Sequence, residues 1–218
     1  ACCMARADAR DVLILAPHCG PADPADPFAA IPPGGVVGTS SVRRAAQLLH
    51  RRPDLTITLI RGNVQTRLNK VKSAQMDATL LALAGLRRLG LAHEAAAILD
   101  PEMMVPAAGQ GIVGITVRED DEELHDLLSG IEDPDAAAVS RAERALLAAL
   151  DGSCRTPIGG HAEIRADGTL RLVGLVASED GTFLLKRAIV GAPEDAARLG
   201  RELGRELRRD SPAAIFTG

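Results

Sequence analysis

Along residues 36–99 the apolar positions switch repeatedly between two periods. Val36 and Val37 form a short apolar run that stops at Gly38-Thr-Ser-Ser41, and the stretch 42–51 then carries Val42, Ala45, Ala46 and Leu49 at helical spacing. Residues 55–60 alternate with β-branched side chains, break at Arg61-Gly-Asn63, and give way to 64–71, where Val64, Leu68 and Val71 share a helix face. Residues 78–83 read as a continuous buried strand, followed by Ala84-Gly-Leu-Arg-Arg-Leu-Gly90 and a helix expected to reach about residue 99. Three consecutive strand–helix units predict a parallel sheet covered by helices on its faces. Upstream, Pro17, Pro21, Pro24, Pro27 and Ile31-Pro-Pro-Gly-Gly35 predict turns with little regular structure.

The pattern changes after residue 100. Residues 101–111 are a linker rich in Pro, Ala and Gly, 112–117 a short isolated strand, and 120–128 an acidic helix. A strong amphipathic helix spans 134–150, opening at Asp133-Pro134 and closing at Asp151-Gly152. The tail predicts strands over 158–164, 170–177 and 182–190, joined by the hairpin signals Ala166-Asp-Gly168 and Glu179-Asp-Gly181, and a last helix over 193–208. This tail reads as a small α+β domain built on a three-stranded antiparallel meander.

Composition excludes several classes. The 218 residues are 46% hydrophobic and 25% charged, a globular balance unlike disordered, collagen-like or coiled-coil chains. With three Phe and no Trp or Tyr there is little from which to build a base-stacking surface, and a net charge of −4 argues against wrapping DNA or lying on an anionic membrane. The longest apolar stretch, around 78–86, is far short of the ~20 residues a spanning helix needs. Val12-Leu-Ile-Leu15 is too short for a signal peptide, and the missing initial Met is compatible with a start inside a longer protein. The four cysteines, Cys2, Cys3, Cys19 and Cys154, suit a reducing cytoplasm.

The net charge conceals a sharp asymmetry. Residues 37–90 hold ten basic against two acidic side chains, a local +8, so the remainder sums to −12. Arg43/Arg44, Arg61/Arg67 and Arg87/Arg88 each follow the C-terminal end of one predicted parallel strand, the edge where open α/β sheets bind ligands. Helix N-termini and the hydroxyls of Gly38-Thr-Ser-Ser41 would reinforce a site for a ligand bearing several carboxylates or phosphates. Arg51, Arg52, Lys70 and Lys72 read instead as solvated helix faces. The Gly38 loop has neither P-loop nor dinucleotide-fold spacing. Cys154, beside Arg155 on a small-residue loop, suits covalent attachment as well as it suits an inert thiol. Cys2, Cys3, His18 and Cys19 lack metal-ligand spacing, so no metal site is expected.

Five ordered segments resemble the signatures of the hydroxymethylbilane synthase (porphobilinogen deaminase) family: Val37-Gly-Thr-Ser-Ser-Val-Arg-Arg44, Ile60-Arg-Gly-Asn-Val-Gln-Thr-Arg67, Ala82-Leu-Ala-Gly-Leu-Arg-Arg-Leu-Gly90, Pro106-Ala-Ala-Gly-Gln-Gly111 and Asp151-Gly-Ser-Cys-Arg-Thr-Pro-Ile158. Arg6-Ala-Asp-Ala-Arg-Asp11 resembles the family's lead into its second domain. The resemblance implies condensation of four porphobilinogen molecules, with loss of ammonia, on a dipyrromethane cofactor held by a thioether to Cys154. It implies that Thr39, Ser41, Arg43, Arg44, Arg61, Arg67, Arg88 and Gln110 bind the acetate and propionate groups of cofactor and substrate. It also implies a periplasmic-binding-protein-like α/β domain over 17–105, preceded by a crossover segment (1–16). A hinge with a returning strand and helix (106–130) and a C-terminal α+β domain (131–218) follow.

No His-Ser-x-Lys-Asp-x-Pro run, which in the family carries the catalytic Asp of the first domain, occurs among these residues. The expectation is therefore a chain that is inactive alone and works with that domain in the same polypeptide or in trans. It is also expected to expose apolar surface around 112–117. A non-catalytic polycarboxylate binder and an interaction protein built on the tail meander are the competing readings; an attachment cysteine speaks against the first.

Overall fold

The computed structural model describes residues 2–151 and 156–216. After a two-residue strand β1 (Cys2–Cys3), the chain enters β2 (Asp11–Leu15) and then the proline-rich segment, whose regular structure is one 3-10 turn at Pro27–Ala30. The next elements are β3 (Val36–Gly38), α1 (Val42–Arg51), β4 (Thr56–Thr58), α2 (Val64–Lys72), β5 (Ala78–Ala82), α3 (Leu83–Arg88) and β6 (Ala97–Ile98). Polar side chains start the helices: Ser41 accepts from the Arg44 N–H and Asn63 from the Thr66 N–H, each satisfying a donor the first turn leaves unpaired.

The sheet is five-stranded, in the order β4-β3-β5-β2-β6. Its β4-β3-β5 portion is parallel, as the strand–helix units predict, but β2 runs antiparallel to both neighbours, so the sheet is mixed. Asp11–Leu15, assigned from the sequence to a crossover, is thus an interior strand. It is buried on both faces, Val12 and Ile14 in one apolar cluster and Leu13 in the other, which is why its run shows no alternation. The pairing sets Asp11 opposite Ala82 and Leu15 opposite Ala78. Being antiparallel, β2 delivers its first residue, Asp11, to the edge where β3, β4 and β5 end.

The helix expected through residue 99 is likewise shorter. It stops at Arg88, Gly90 turns the backbone at φ +69°, and after a 3-10 turn at Ala92–Glu94 the chain adds β6 alongside Val12 and Leu13. Arg52, expected to be solvated, is half-buried: it pairs with Asp54 and donates to the carbonyls of Phe28 and Ile31, holding the proline-rich segment on the α/β unit.

Strand β7 (Gly114–Ile115) is not isolated but pairs antiparallel with β1, Cys2 standing opposite Ile115. It precedes α4 (Glu122–Ser129); within 112–117 Val113 is exposed while Ile112, Ile115 and Val117 are half-buried, and Leu124, Leu127 and Ile131 beyond it are exposed. The C-terminal unit follows the sequence pattern closely: α5 (Pro134–Ala149) with Asp133 as its cap, the meander β8 (Ile158–Ile164), β9 (Leu170–Ala177) and β10 (Leu184–Gly191), and α6 (Ala196–Arg209). One face of β9 (Leu170, Leu172, Val176) packs with Leu146, Leu199 and Leu203 of the two helices. Val173, Leu175 and Ala177 pack instead against Ala46 and Val105, docking the meander on the α/β unit.

Helices α5 and α6 meet closely because α6 carries Gly200 and Gly204. A Cβ at Gly200 would collide with the Ala142 carbonyl oxygen and lie 2.7 Å from the Ala145 Cβ. Gly200→Ala is expected to cost about 1–3 kcal/mol of stability by overpacking. Gly85→Ala in α3, where no atom lies within 4 Å of the added Cβ, is expected to be neutral or to stabilise by about 0.5–1 kcal/mol. Urea unfolding midpoints of the two variants check this contrast.

Candidate functional site

At the C-terminal edge of the parallel strands the Asp11 carboxylate is fully buried between two guanidiniums. Its Oδ2 accepts from Arg43 Nη1 at 2.9 Å. Its Oδ1 accepts from Arg44 Nη2 at 2.7 Å, Arg44 Nε at 3.2 Å and Gln110 Nε2 at 2.9 Å. Both arginines lie in the first turn of α1, fixed by the Ser41 cap. Arg43 Nη1 also donates to the Val105 carbonyl and Arg44 Nη1 to the Leu80 carbonyl. Burial pushes the Asp11 carboxyl up, but the charges and hydrogen bonds of Arg43 and Arg44 more than reverse it and hold Asp11 below the ordinary aspartate value. Burial likewise pulls Arg43 below its usual range, against the pull of Asp11.

The sequence predicted Arg43 and Arg44 as ligand-binding side chains, and the structure spends much of their donor capacity inside the protein. Two guanidiniums against one carboxylate nevertheless leave a net charge of +1. Donors also remain: Arg43 Nε is buried without a hydrogen-bond partner among the described residues. In the sequence Asp11 is only the last residue of the Arg6-Ala-Asp-Ala-Arg-Asp11 motif. The signal that marks it is an acidic residue at the head of a wholly apolar strand, where an unpaired charge would be prohibitive.

The other predicted residues divide into two groups. Thr39 is buried, its hydroxyl accepting from the Ser41 N–H, and Gln110 bridges the trio by donating to Asp11 and to the Ala9 carbonyl. Arg67 is half-buried and caps its own loop through the Gly62 carbonyl. Arg61 and Arg88, by contrast, are exposed and form no ion pair among the described residues, whereas Arg87 pairs with Asp8 at 3.3 Å. Arg61 follows β4 and Arg88 ends the helix that follows β5, so their chain segments leave the same sheet edge as Asp11. Cys154 lies outside the described residues; the chain resumes at Thr156, two residues before β8.

A second buried charge joins the two units beside this edge. Glu143 of α5 accepts from Arg6 Nη1 at 2.6 Å, from the Ala162 N–H of β8 and from the Gly109 N–H of the linker. Burial raises its carboxyl above the ordinary glutamate value, opposed by Arg6 and by the two backbone donors. Nearby His161 is held neutral, its pKa lowered to about 4 by burial and by the Arg6 charge.

Because Asp11 titrates below its unfolded value, its stabilisation is fully present above the unfolded pKa and is lost as pH falls toward the folded one. Asp11→Asn leaves two buried guanidiniums uncompensated. It is expected to cost about 3–5 kcal/mol at neutral pH, with the deficit shrinking on acidification below about pH 4. Chemical denaturation of the wild type and the variant at several pH values measures both effects.

Two family models cover nearly all of the chain: the dipyromethane cofactor binding domain of porphobilinogen deaminase over residues 1–126, and the porphobilinogen deaminase C-terminal domain over 137–209. Among curated relatives, the porphobilinogen deaminase of Syntrophobacter fumaroxidans is 46% identical over 93% of this chain and 63% of its own. That of Nitrobacter winogradskyi is 45% identical over 97% and 65%, and that of Paracoccus denitrificans 46% over 99% and 66%. The chain thus spans less than two thirds of the length of these relatives. With identity near one half along an ordered series of matching segments, the chain belongs to the porphobilinogen deaminase family.

Proposed function

We propose that this chain acts in hydroxymethylbilane synthesis, joining four porphobilinogen molecules into a linear tetrapyrrole with release of ammonia, in the cytoplasm. The observation that carries the reading is the sheet edge itself. There a buried Arg43–Asp11–Arg44 trio of net charge +1 stands at the strand ends from which the segments bearing Arg61 and Arg88 emerge. Carboxylate-bearing pyrroles match that charge, and the partnerless Arg43 Nε is a buried donor suited to an anionic group.

In this reading Arg61, Arg67 and Arg88 bind acetate and propionate groups, assisted by the remaining donors of Arg43 and Arg44 and by Thr39 and Ser41. Gln110 keeps Asp11 centred between the guanidiniums. Dipyrromethane, bound through the Cys154 sulfur, supplies the end on which the chain of rings grows. Asp11 is a positioning residue: its carboxylate is consumed by two arginines and is not free to take a proton from substrate. The acid carboxylate for condensation is assigned to a first-domain segment, in the same polypeptide or in trans. The α/β unit is read as periplasmic-binding-protein-like over 17–105, together with the strand at 11–15. It is followed by a hinge at 106–130 and the cofactor-carrying unit at 131–218. A purely non-catalytic polycarboxylate binder is not favoured, since the family likeness runs through the segment bearing Cys154.

Intact-mass measurement is expected to find a dipyrromethane adduct that disappears in Cys154→Ser; an unmodified wild-type chain after exposure to porphobilinogen would count against the attachment. Arg61→Ala and Arg88→Ala are each expected to lower kcat/KM for porphobilinogen about 10- to 100-fold, the value of a charge-assisted hydrogen bond. Ammonia release from the active enzyme measures it, and unchanged values in both variants would remove the carboxylate-binding role.

A further inference from the structure

At the opposite edge of the sheet, where β5 begins, three side chains of different donor type converge. His18 Nε2 lies 2.6 Å from Asp77 Oδ1, Cys19 Sγ points at the Asp77 backbone carbonyl at 3.5 Å, and the imidazole, thiol and carboxylate ligand atoms all lie within 4.8 Å of one another. We propose that His18, Cys19 and Asp77 form a binding site for a zinc-class divalent cation, with the fourth coordination position open to water.

The backbone already holds the three residues in place. Ala16 donates to the Asp77 carbonyl at 2.8 Å and Cys19 donates back to the Ala16 carbonyl at 3.0 Å, so the turn carrying His18 and Cys19 is clipped onto the start of β5. Asp77 Oδ2 is fixed by the Val36 N–H at 2.6 Å, which orients Oδ1 toward His18. A tetrahedral ion with bonds of about 2.0–2.3 Å sets its ligand atoms roughly 3.3–3.8 Å apart. To reach that spacing the imidazole must withdraw from Asp77 by less than about 1 Å and the thiol, within 4.8 Å of both, must close on them by at most about 1.3 Å, estimated from the same bond lengths. The His18 side chain is 47% exposed and has room to do so.

Donor chemistry selects the ion. One sulfur, one nitrogen and one oxygen suit Zn2+ or its relatives and are a poor set for Mg2+ or Ca2+, which demand oxygen shells. A thiolate and a carboxylate neutralise the ion's two charges. Among the described residues Asp77 forms its ion pair with His18 alone, so the carboxylate is not taken up by a lysine or arginine. The neighbouring sequence did not disclose the site, since Asp77 lies 58 residues after Cys19. An ion here would fasten the proline-rich segment 16–35 to the sheet at the end away from the arginine edge.

Cobalt titration of the purified protein tests the proposal, because Co2+ bound by a thiolate in tetrahedral geometry gives a charge-transfer band and intense visible d–d bands. Saturation at one equivalent is expected, with displacement by Zn2+ and no effect of Mg2+. Cys19→Ser is expected to abolish the charge-transfer band, and His18→Ala to weaken Co2+ binding at least about tenfold. Cys2→Ser, Cys3→Ser and Cys154→Ser should retain the band. Circular dichroism confirms that the variants remain folded, as is expected for substitutions on a surface turn. Zn2+ should raise the melting temperature of the wild type but not of Cys19→Ser. Absence of the bands overturns the site, as does a band that survives Cys19→Ser or vanishes with one of the other cysteines.

Discussion

The burial of the Asp11 carboxylate between Arg43 and Arg44 is the constraint on which the arginine edge depends. An isolated charge in an apolar interior costs several kcal/mol, so this trio is tolerable only when every partner is in place. Those partners come from four parts of the chain: β2 brings Asp11, the first turn of α1 brings both arginines, β5 offers the Leu80 carbonyl, and the linker offers the Val105 carbonyl and the Gln110 side chain. Misplacing any one of them leaves a buried ion or donor unsatisfied. The trio therefore acts as a check on the assembly of the sheet, the helix and the linker together. It also leaves one positive charge at the strand ends, where a functional site needs it.

The same logic is repeated at the joint between the units. Glu143, buried on α5, is satisfied by Arg6 from before β2, by Gly109 from the linker and by Ala162 from β8. Two buried carboxylates thus hold the 105–110 linker, one from each side, while the Val173–Ala177 face of the meander packs on Ala46 and Val105. Both elements that flank residue 154 in the chain, α5 ending at Ala149 and β8 beginning at Ile158, belong to this joint. The arginine edge and the α5–meander unit are related by these polar clamps.

Local pattern carried much of this architecture. The strands and helices between 36 and 88 and the whole α5–meander–α6 unit follow from periodicity and turn residues, because the helices each bury one face, the strands lie between clear turn signals, and local chemistry such as Ser41, Asn63 or Asp133 starts the helices. Where pattern failed, a long-range partner decided. Val12–Leu15 looked like an unplaced apolar run because a strand buried on both faces shows no alternation. Residues 89–99 looked helical because a two-residue strand such as Ala97–Ile98 exists only by virtue of its neighbour. Clustering of arginines after strand ends could not separate Arg61 and Arg88, which stay exposed, from Arg43 and Arg44, which turn inward to Asp11.

Residue order alone determined the segment types of 36–88 and of the C-terminal unit, the +8 stretch, the ordered motifs and hence the family. Tertiary structure alone decided the direction of β2, the pairing of Asp11 with residues more than thirty positions away, and the meeting of His18 and Cys19 with Asp77. The reason is physical. Helical and strand periods report which face of a segment is buried, a property of neighbours along the chain. The satisfaction of a buried charge or the gathering of ligand atoms depends on distances through space, which only the packed sheet sets.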